Sequence, residues 1–357
     1  MNASSRLLSI DALRGLTVAA MLMVNNAGDW NHVWPWLEHA AWHGCHPADY
    51  IFPMFLFIVG VSFSMATGGA LSRGADGAVV WRGAAVRALR LLAIGIALHL
   101  IAWALMPGRE FRLLGVLQRI GLCFLGVATV AVLCRAAWPR MVATAAVLLG
   151  YGLALRLGGG FELADNLATR VDHAVLGGLA YTRDAASGLW WDPEGVLSTL
   201  GALGTTLLGL LAGEWLRQRD IGRVWVMAAL LMALGAATQA LWPWNKALWT
   251  PSFALWTGGV SCAALALWHV LVDRLRAPAL GLCMGINAIS AYALAWVATC
   301  VLEGTGAMAP LYQAVFVTPL GGVLPPEGLS ALFAVAFTAV FWALMKGFQR
   351  MGWRISV

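Results

Sequence analysis

Long apolar runs recur along this chain, and no other feature restricts its fold as much. Ten of them lie at about residues 15–27, 50–67, 84–106, 113–134, 140–157, 196–216, 224–241, 253–272, 279–302 and 328–346. They approach the ~20 residues that an α-helix needs to cross a bilayer. Inside lipid every backbone N–H and C=O must find a partner within the chain, so runs of this kind read as helices. The expected fold is an all-α polytopic membrane protein of about ten transmembrane helices, one domain over residues 1–357. Composition agrees: 61% of the residues are hydrophobic and 11% are charged, where soluble domains carry roughly 25% charged. Nineteen tryptophans suit the headgroup zone of a membrane. The first sixteen residues lack the apolar core of a cleavable signal peptide, so the first run is expected to serve as the insertion signal. The six cysteines form no CxxC pair, and five fall in apolar runs, which implies no disulfide framework. The low Lys and Arg content argues against a nucleic-acid partner.

An even number of spans puts both termini on one side of the membrane. Sixteen of the twenty-three basic residues, from Arg6 and Arg14 to Lys346, Arg350 and Arg354, fall at the termini and the turns of that side. The positive-inside rule makes it the cytoplasmic one. Twelve of the seventeen acids fall on the other side, leaving formal charges of +11 inside and −5 outside. Topology alone accounts for most of the inner excess. A functional account is that a polyanion docks inside and a cation outside.

Titratable residues concentrate in one outer stretch, Asn25 to Gly60, which holds His32, His39, His43, His46, Glu38, Asp49 and four tryptophans. On a helix His39, His43, His46 and Asp49 would share a face, a weak metal pattern interrupted by Gly44 and Pro47. The stronger account is a general base, because an imidazole exchanges protons near neutral pH. His39 is the best placed, flanked by Glu38 and Trp42. Asp49 heads the second span, where a carboxylate suits a helix N-terminus, and it is also placed to orient an imidazole. Asn25, at the outer end of the first span, is a helix cap or a carbonyl-orienting amide.

Other polar positions interrupt the apolar runs. In "SIDALRG", Asp11 and Arg14 are three apart and can pair on one helical face. "GVLQRIG" puts Gln118 and Arg119 inside a span, where charge is costly and usually functional. "WWDPEG" sets Asp192 and Glu194 before a run of small residues that permits close helix packing. "PWNKALW" supplies Asn245 and Lys246, the one outer lysine, and "GINAISAY" places Asn287 mid-span. The outer segments 158–195 and 303–327 are long enough to form lids or site walls.

Taken in order, "SIDALRG", "VNNAG", "HAAWHG…ADYIFPMFLFIVG", "GVLQRIG", "DPEGVLSTL", "PWNKALWTPSF" and "GINAISAY" resemble the membrane core of the heparan-α-glucosaminide N-acetyltransferase family and its bacterial inner-membrane relatives. The resemblance covers essentially the whole chain, without the luminal N-terminal domain of the lysosomal enzyme. It implies a transmembrane acyltransferase bundle in a bacterial inner membrane, acting as a homodimer. It also implies transfer of acetyl from cytoplasmic acetyl-CoA to the amine of a glucosamine-type sugar on the far side. The family's essential histidine falls on His39, its nearby asparagine on Asn25 and its motif aspartate on Asp49. Within that expectation Arg14, Gln118, Arg119 and Asn287 are the candidates to hold acetyl-CoA. Trp42, Asp192, Glu194, Asn245 and Lys246 are the candidates to hold the acceptor, and no metal is expected. The chain departs from the lysosomal motif in having His43 where that enzyme has Asn, and in a longer "DWNHVWPWLE" insert. Whether transfer is direct or passes through an acetyl-imidazole stays open in the sequence. The aromatic outer loops and buried Arg119 would also serve a transporter for N-acetylglucosamine or a related sugar.

Overall fold

The computed structural model describes residues 7–354; Arg6, counted above among the inner cations, lies outside them. Each of the ten apolar runs falls on a helix. In chain order these are α1 (Leu8–Val24), α2 (Ile51–Ser72), α3 (Gly77–Leu105), α4 (Val116–Leu133), α5 (Ala137–Leu157), α7 (Ser198–Arg217), α8 (Ile221–Ala237), α9 (Pro251–Trp268), α10 (Leu282–Ile286) with α11 (Ala288–Gly304), and α14 (Pro326–Arg350). Among the described residues seven helices are long and apolar enough to cross a membrane, or eight if a bent pair counts as one span. Helix α8, with 17 residues, is apolar but shorter. Side-chain caps start several of them: Asp76 accepts from the Ala78 N–H at α3 and Asp220 from Arg223 at α8.

Two runs depart from the continuous helices expected. The span at 279–302 is broken at Asn287, a buried residue between α10 and α11 whose φ of −116° leaves the helical region. Beyond α11 the chain bends by 99° into Met308–Leu320, formed by α12 (Met308–Tyr312), a π-turn and α13 (Thr318–Leu320). The segment expected as a long outer loop is therefore largely helical. The other long segment folds into α6 (Leu167–Val175), capped by Asn166, and a two-stranded hairpin of β1 (Thr182–Arg183) and β2 (Trp190–Trp191).

With lipid as solvent, helices gain little by burying leucine against one another, so close backbone approach carries the packing. Helix α7 lies against α2 in this way. A Cβ on Gly60 would stand 1.9 Å from the Thr206 carbonyl oxygen, and one on Gly209 would stand 2.0 Å from that of Phe57. The same device seats α1 on α10, where a Cβ on Gly285 would meet the Asp11 carbonyl oxygen at 1.7 Å. The outer faces of α3, α5 and α8 expose Val86, Leu89, Leu100, Leu149, Leu153, Val226 and Leu230, an apolar surface suited to acyl chains.

Candidate active site

The loop between α1 and α2 has no helix before the 3₁₀ turn Pro47–Tyr50, so His39, His43 and His46 share no helical face. Gly44, at φ +121°, and Pro47 prevent it. The three imidazoles take three separate partners. His43 Nε2 lies 3.0 Å from Glu162 Oε1, and His46 Nδ1 lies 3.1 Å from the Glu38 carbonyl oxygen. No group of three potential metal ligands forms among the described residues.

His39 meets Asp49. The Asp49 carboxylate is fully buried, and its Oδ2 accepts from the backbone N–H of Ala40 (3.1 Å) and of His46 (2.9 Å). Its Oδ1 lies 2.8 Å from His39 Nδ1, while the His39 side chain stays 44% exposed. Asp49 thus ties the loop to the head of α2 and orients the ring. The tautomer that donates Nδ1–H to Asp49 leaves the Nε2 lone pair as the basic position. Lys246 Nζ stands 3.1 Å from that Nε2, 3.0 Å from Nδ1 and 3.5 Å from Asp49 Oδ1. Burial pushes the Lys246 ammonium below the ordinary lysine range, against the opposing pull of Asp49 and Glu194.

Neighbouring segments hold this pair in place. Asn245 is fully buried; its Oδ1 accepts from the Leu248 N–H at 2.8 Å, and its Nδ2 lies 3.5 Å from His43 Nδ1. Trp42 donates its indole N–H to the Phe161 carbonyl (2.8 Å) and sets its ring edge-on to Trp191. The 158–197 segment therefore forms one wall of the site.

Asp192 and Glu194 are engaged within the protein. Arg112 Nε donates to Asp192 Oδ2 at 2.9 Å, and its Nη2 bonds both Asp192 and Glu194. Its guanidinium also lies over the Tyr181 ring, 4.7 Å from the centroid. Burial raises Asp192, whereas for Glu194 Arg112 and Arg119 overcome burial and bring the carboxyl down. Beside them Asp172 Oδ1 accepts from the Val196 N–H at 2.9 Å. Burial lifts its carboxyl to about 6. A Cβ at Gly195 would fall 2.0 Å from Asp172 Oδ2, which explains the glycine of "DPEG".

Asn25 is not brought against His39. It caps α1 through its N–H to the Met21 carbonyl (3.1 Å), and its exposed amide lines a separate small cleft with Tyr292, Trp296 and Thr299.

Toward the opposite, arginine-rich end a cavity of about 310 Å³ opens between α1, α2, α3, α4 and the α10–α11 break. Arg14 lines it, donating to Ser62 Oγ (2.6 Å) and the Gly285 carbonyl (3.2 Å) while paired with Asp11 at 2.8 Å. Arg87 lines it too, its guanidinium 4.8 Å from the Phe124 ring centroid. Asn287 lies between cavity-lining residues and donates to the Trp353 carbonyl at 3.2 Å. Gln118 and Arg119 sit on the turn of α4 between Leu117 and Ile120, which face the cavity. Arg119 is buried, bonds Ser198 Oγ and the Gly195 carbonyl, and leaves Nε and Nη1 without a partner; Gln118 Oε1 is likewise unpartnered. His39, Asp49 and Lys246 do not line this cavity. Phe52, edge-on to Trp249 at 5.3 Å, and Phe55 belong to the packed layer on its outer side.

The sequence pattern did not single out Arg112, Glu162 or Arg87. Arg112 was visible only as one of the outer cations, and nothing local joins it to the two carboxylates of "DPEG" some eighty residues later. Arg87 sits one helical turn from Arg90 with nothing to separate their roles.

A multi-pass helical membrane protein with a carboxylate-backed imidazole in an aromatic mouth, and a cation-lined cavity toward the other end, is the class defined by this fold and site. Residues 6–181 match the family model described as heparan-alpha-glucosaminide N-acetyltransferase, catalytic. The chain is 27% identical over 266 residues to heparan-alpha-glucosaminide N-acetyltransferase of Mus musculus, covering 60% of this chain and 39% of the relative. The Homo sapiens protein of that name is 27% identical over 278 residues, covering 60% and 40%. The chain is thus similar to the heparan-α-glucosaminide N-acetyltransferases, and the match spans about two fifths of the length of these curated proteins. Arg14, Asn25, His39, Asp49, Gln118 and Arg119 fall inside the region matched by the family model; Asp192, Glu194, Asn245, Lys246 and Asn287 lie beyond it.

Proposed function

We propose that this protein transfers acetyl from acetyl-CoA, approaching from the cytoplasm, to the amine of a glucosamine-type sugar on the far side of a bacterial inner membrane. The observation that carries the reading is His39, exposed on a fully buried Asp49 at one end of a bundle whose other end holds the Arg14 and Arg87 cavity. The sugar amine attacks the thioester carbonyl, forming the C–N bond. The C–S bond then breaks to release CoA. His39 Nε2 takes the proton from the amine nitrogen and returns one to the departing sulfur. Lys246, within hydrogen-bond reach of the ring, moves onto the developing oxyanion. Trp42 supplies an aromatic wall for the acceptor, and Asn25, which lines a separate cleft, takes no part in the step. Asp192, Glu194 and Asn245 act on the acceptor indirectly, by fixing Arg112 and the loop that carries Lys246.

Arg14 and Arg87 suit the phosphates of CoA, and the cavity suits its slender arm. Gln118 Oε1 and the free N–H groups of Arg119 offer hydrogen bonds to amides or carbonyls farther along. Contact with His39 then requires the Phe52–Trp249 layer to part. The test is purified protein given acetyl-CoA and glucosamine, with free CoA and N-acetylglucosamine quantified together. Stoichiometric release of both by wild type, and loss of both in His39→Ala, is the expected result. CoA release by His39→Ala at the wild-type rate would remove His39 from the reaction.

A further inference from the structure

We propose that a second cavity at the arginine-rich end is a binding site for a phosphate-bearing anion, of the kind carried by an acidic phospholipid headgroup. This site is independent of the acetyl-transfer reading. The cavity measures about 660 Å³, twice the volume of the one lined by Arg14 and Arg87. It is an open cleft bordered by the start of α1, Met65 of α2, the end of α7, the π-turn His269–Arg274 and the loop that follows. Four arginines line it, Arg217, Arg219, Arg274 and Arg276, over a wall that includes Leu8, Leu216 and Val272.

The positive-inside rule explains cations at this end of the bundle; it does not explain how these four are held. Asp273 is the one carboxylate lining the cavity among the described residues, and both its oxygens are engaged. Oδ1 accepts from the Leu8 and Ser9 N–H groups, and Oδ2 lies 2.9 Å from His269 Nδ1. The side chains of Arg219, Arg274 and Arg276 have no hydrogen bond or ion pair among the described residues. Arg217 reaches Glu214 only at 4.0 Å, and its buried Nε has no partner. Arg219 (φ +63°) and Arg276 (φ +57°) are also held in the left-handed region, and both line this cavity. Glycine would occupy such positions at lower cost. A planar guanidinium fork matches phosphate oxygens, and the apolar wall beneath the cations suits the first methylenes of a lipid tail.

The experiment uses the full chain in nanodiscs of phosphatidylcholine, titrated with a fluorescent-tailed phosphatidylglycerol and, separately, with the soluble headgroup glycerol phosphate as competitor. The double variant Arg219→Gly/Arg276→Gly removes two cations at positions whose backbone favours glycine, so folding is preserved. Arg82→Gln/Arg90→Gln removes two arginines from α3 outside the cavity. Wild type should bind phosphatidylglycerol, and the Gly double variant should bind it more weakly by roughly tenfold or more. The α3 variant should match wild type. Displacement by glycerol phosphate would assign the site to a free phosphate ester; its failure would assign it to a lipid in place. Equal losses in the two double variants would reduce the effect to the general field of this end and overturn the proposal, as would labelled phosphatidylcholine binding equally well.

Discussion

At the residue scale, the proposed chemistry turns on the pairing of His39 with Asp49. Asp49→Asn keeps the shape of the carboxylate but cannot hold the ring in the Nδ1–H tautomer. Its kcat for acetyl transfer is expected to fall by about 10²–10⁴, read from initial rates at saturating acetyl-CoA. Lys246→Met should lower kcat by a comparable factor with little change in the KM for acetyl-CoA, since Lys246 stands with His39 and not in the Arg14 cavity. The contact between His39 and Asp49 was legible, because Asp49 heads the second span beside the histidine-rich stretch, where a carboxylate can orient an imidazole. Lys246 stood out as a cation, but its position over the imidazole depends on two loops separated by about two hundred residues, which no local pattern encodes. Asp172 offers a test of pH dependence. Its folded-state carboxyl titrates near 6, raised by burial from an ordinary value of 3.8, so the folded state holds the proton more tightly than the unfolded chain does. The penalty for its charge is complete above pH 6 and disappears as pH falls toward 3.8. Asp172→Asn keeps an oxygen for the Val196 N–H, so the variant should melt higher than wild type at pH 7.5. That difference should shrink at pH 4.5 in the same detergent. A difference unchanged between the two pH values would mean that Asp172 is not buried as a charge.

Among the elements, apolar runs gave away the helices, because a bilayer demands length and hydrophobicity and little else. The break at Asn287 was hidden, since it occurs inside sequence that stays apolar and carries no proline, whereas the 99° bend after α11 falls on Glu303 to Gly306, which read as the start of an outer segment and not as a link between helices. Backbone approach was partly legible: the small-residue run after "DPEG" pointed to a close helix contact, although not to α2 as the partner. Gly209→Ala should therefore destabilise the bundle by about 1–3 kcal/mol or more, because its Cβ would meet the Phe57 carbonyl oxygen of a neighbouring helix, which cannot step aside. Gly150→Ala in α5 provides the contrast, since nothing lies within 4 Å of its Cβ and alanine is the better helix former. Thermal midpoints by size-exclusion in detergent should fall for the first and hold or rise for the second. Matching falls would show that the α2–α7 contact has no special weight.

For the whole molecule, the decisive property is the separation of two kinds of site along the bundle. The His39 loop, Arg112, the 158–197 segment and Lys246 converge at one end. Asp273, the start of α1 at Leu8 and Arg217, Arg219, Arg274 and Arg276 gather at the other. The sequence foretold this division from charge counts alone, because each outer-assigned loop that builds the site lies with the others. It did not foretell the aromatic layer of Phe52 and Trp249, which depends on how α2 faces the loop that leads into α9. If the layer parts only to pass an acetyl group, the donor and acceptor must be supplied from opposite sides. In proteoliposomes sorted to one orientation, acetyl-CoA on the arginine-rich side with glucosamine on the His39 side should give N-acetylglucosamine, with free CoA retained on the donor side. Supplying both substrates on the His39 side alone should give no product, because the thioester then has no route through the Arg14 cavity. Turnover in that second arrangement would mean that both substrates enter by one mouth, and the arginine-lined cavity would need another occupant.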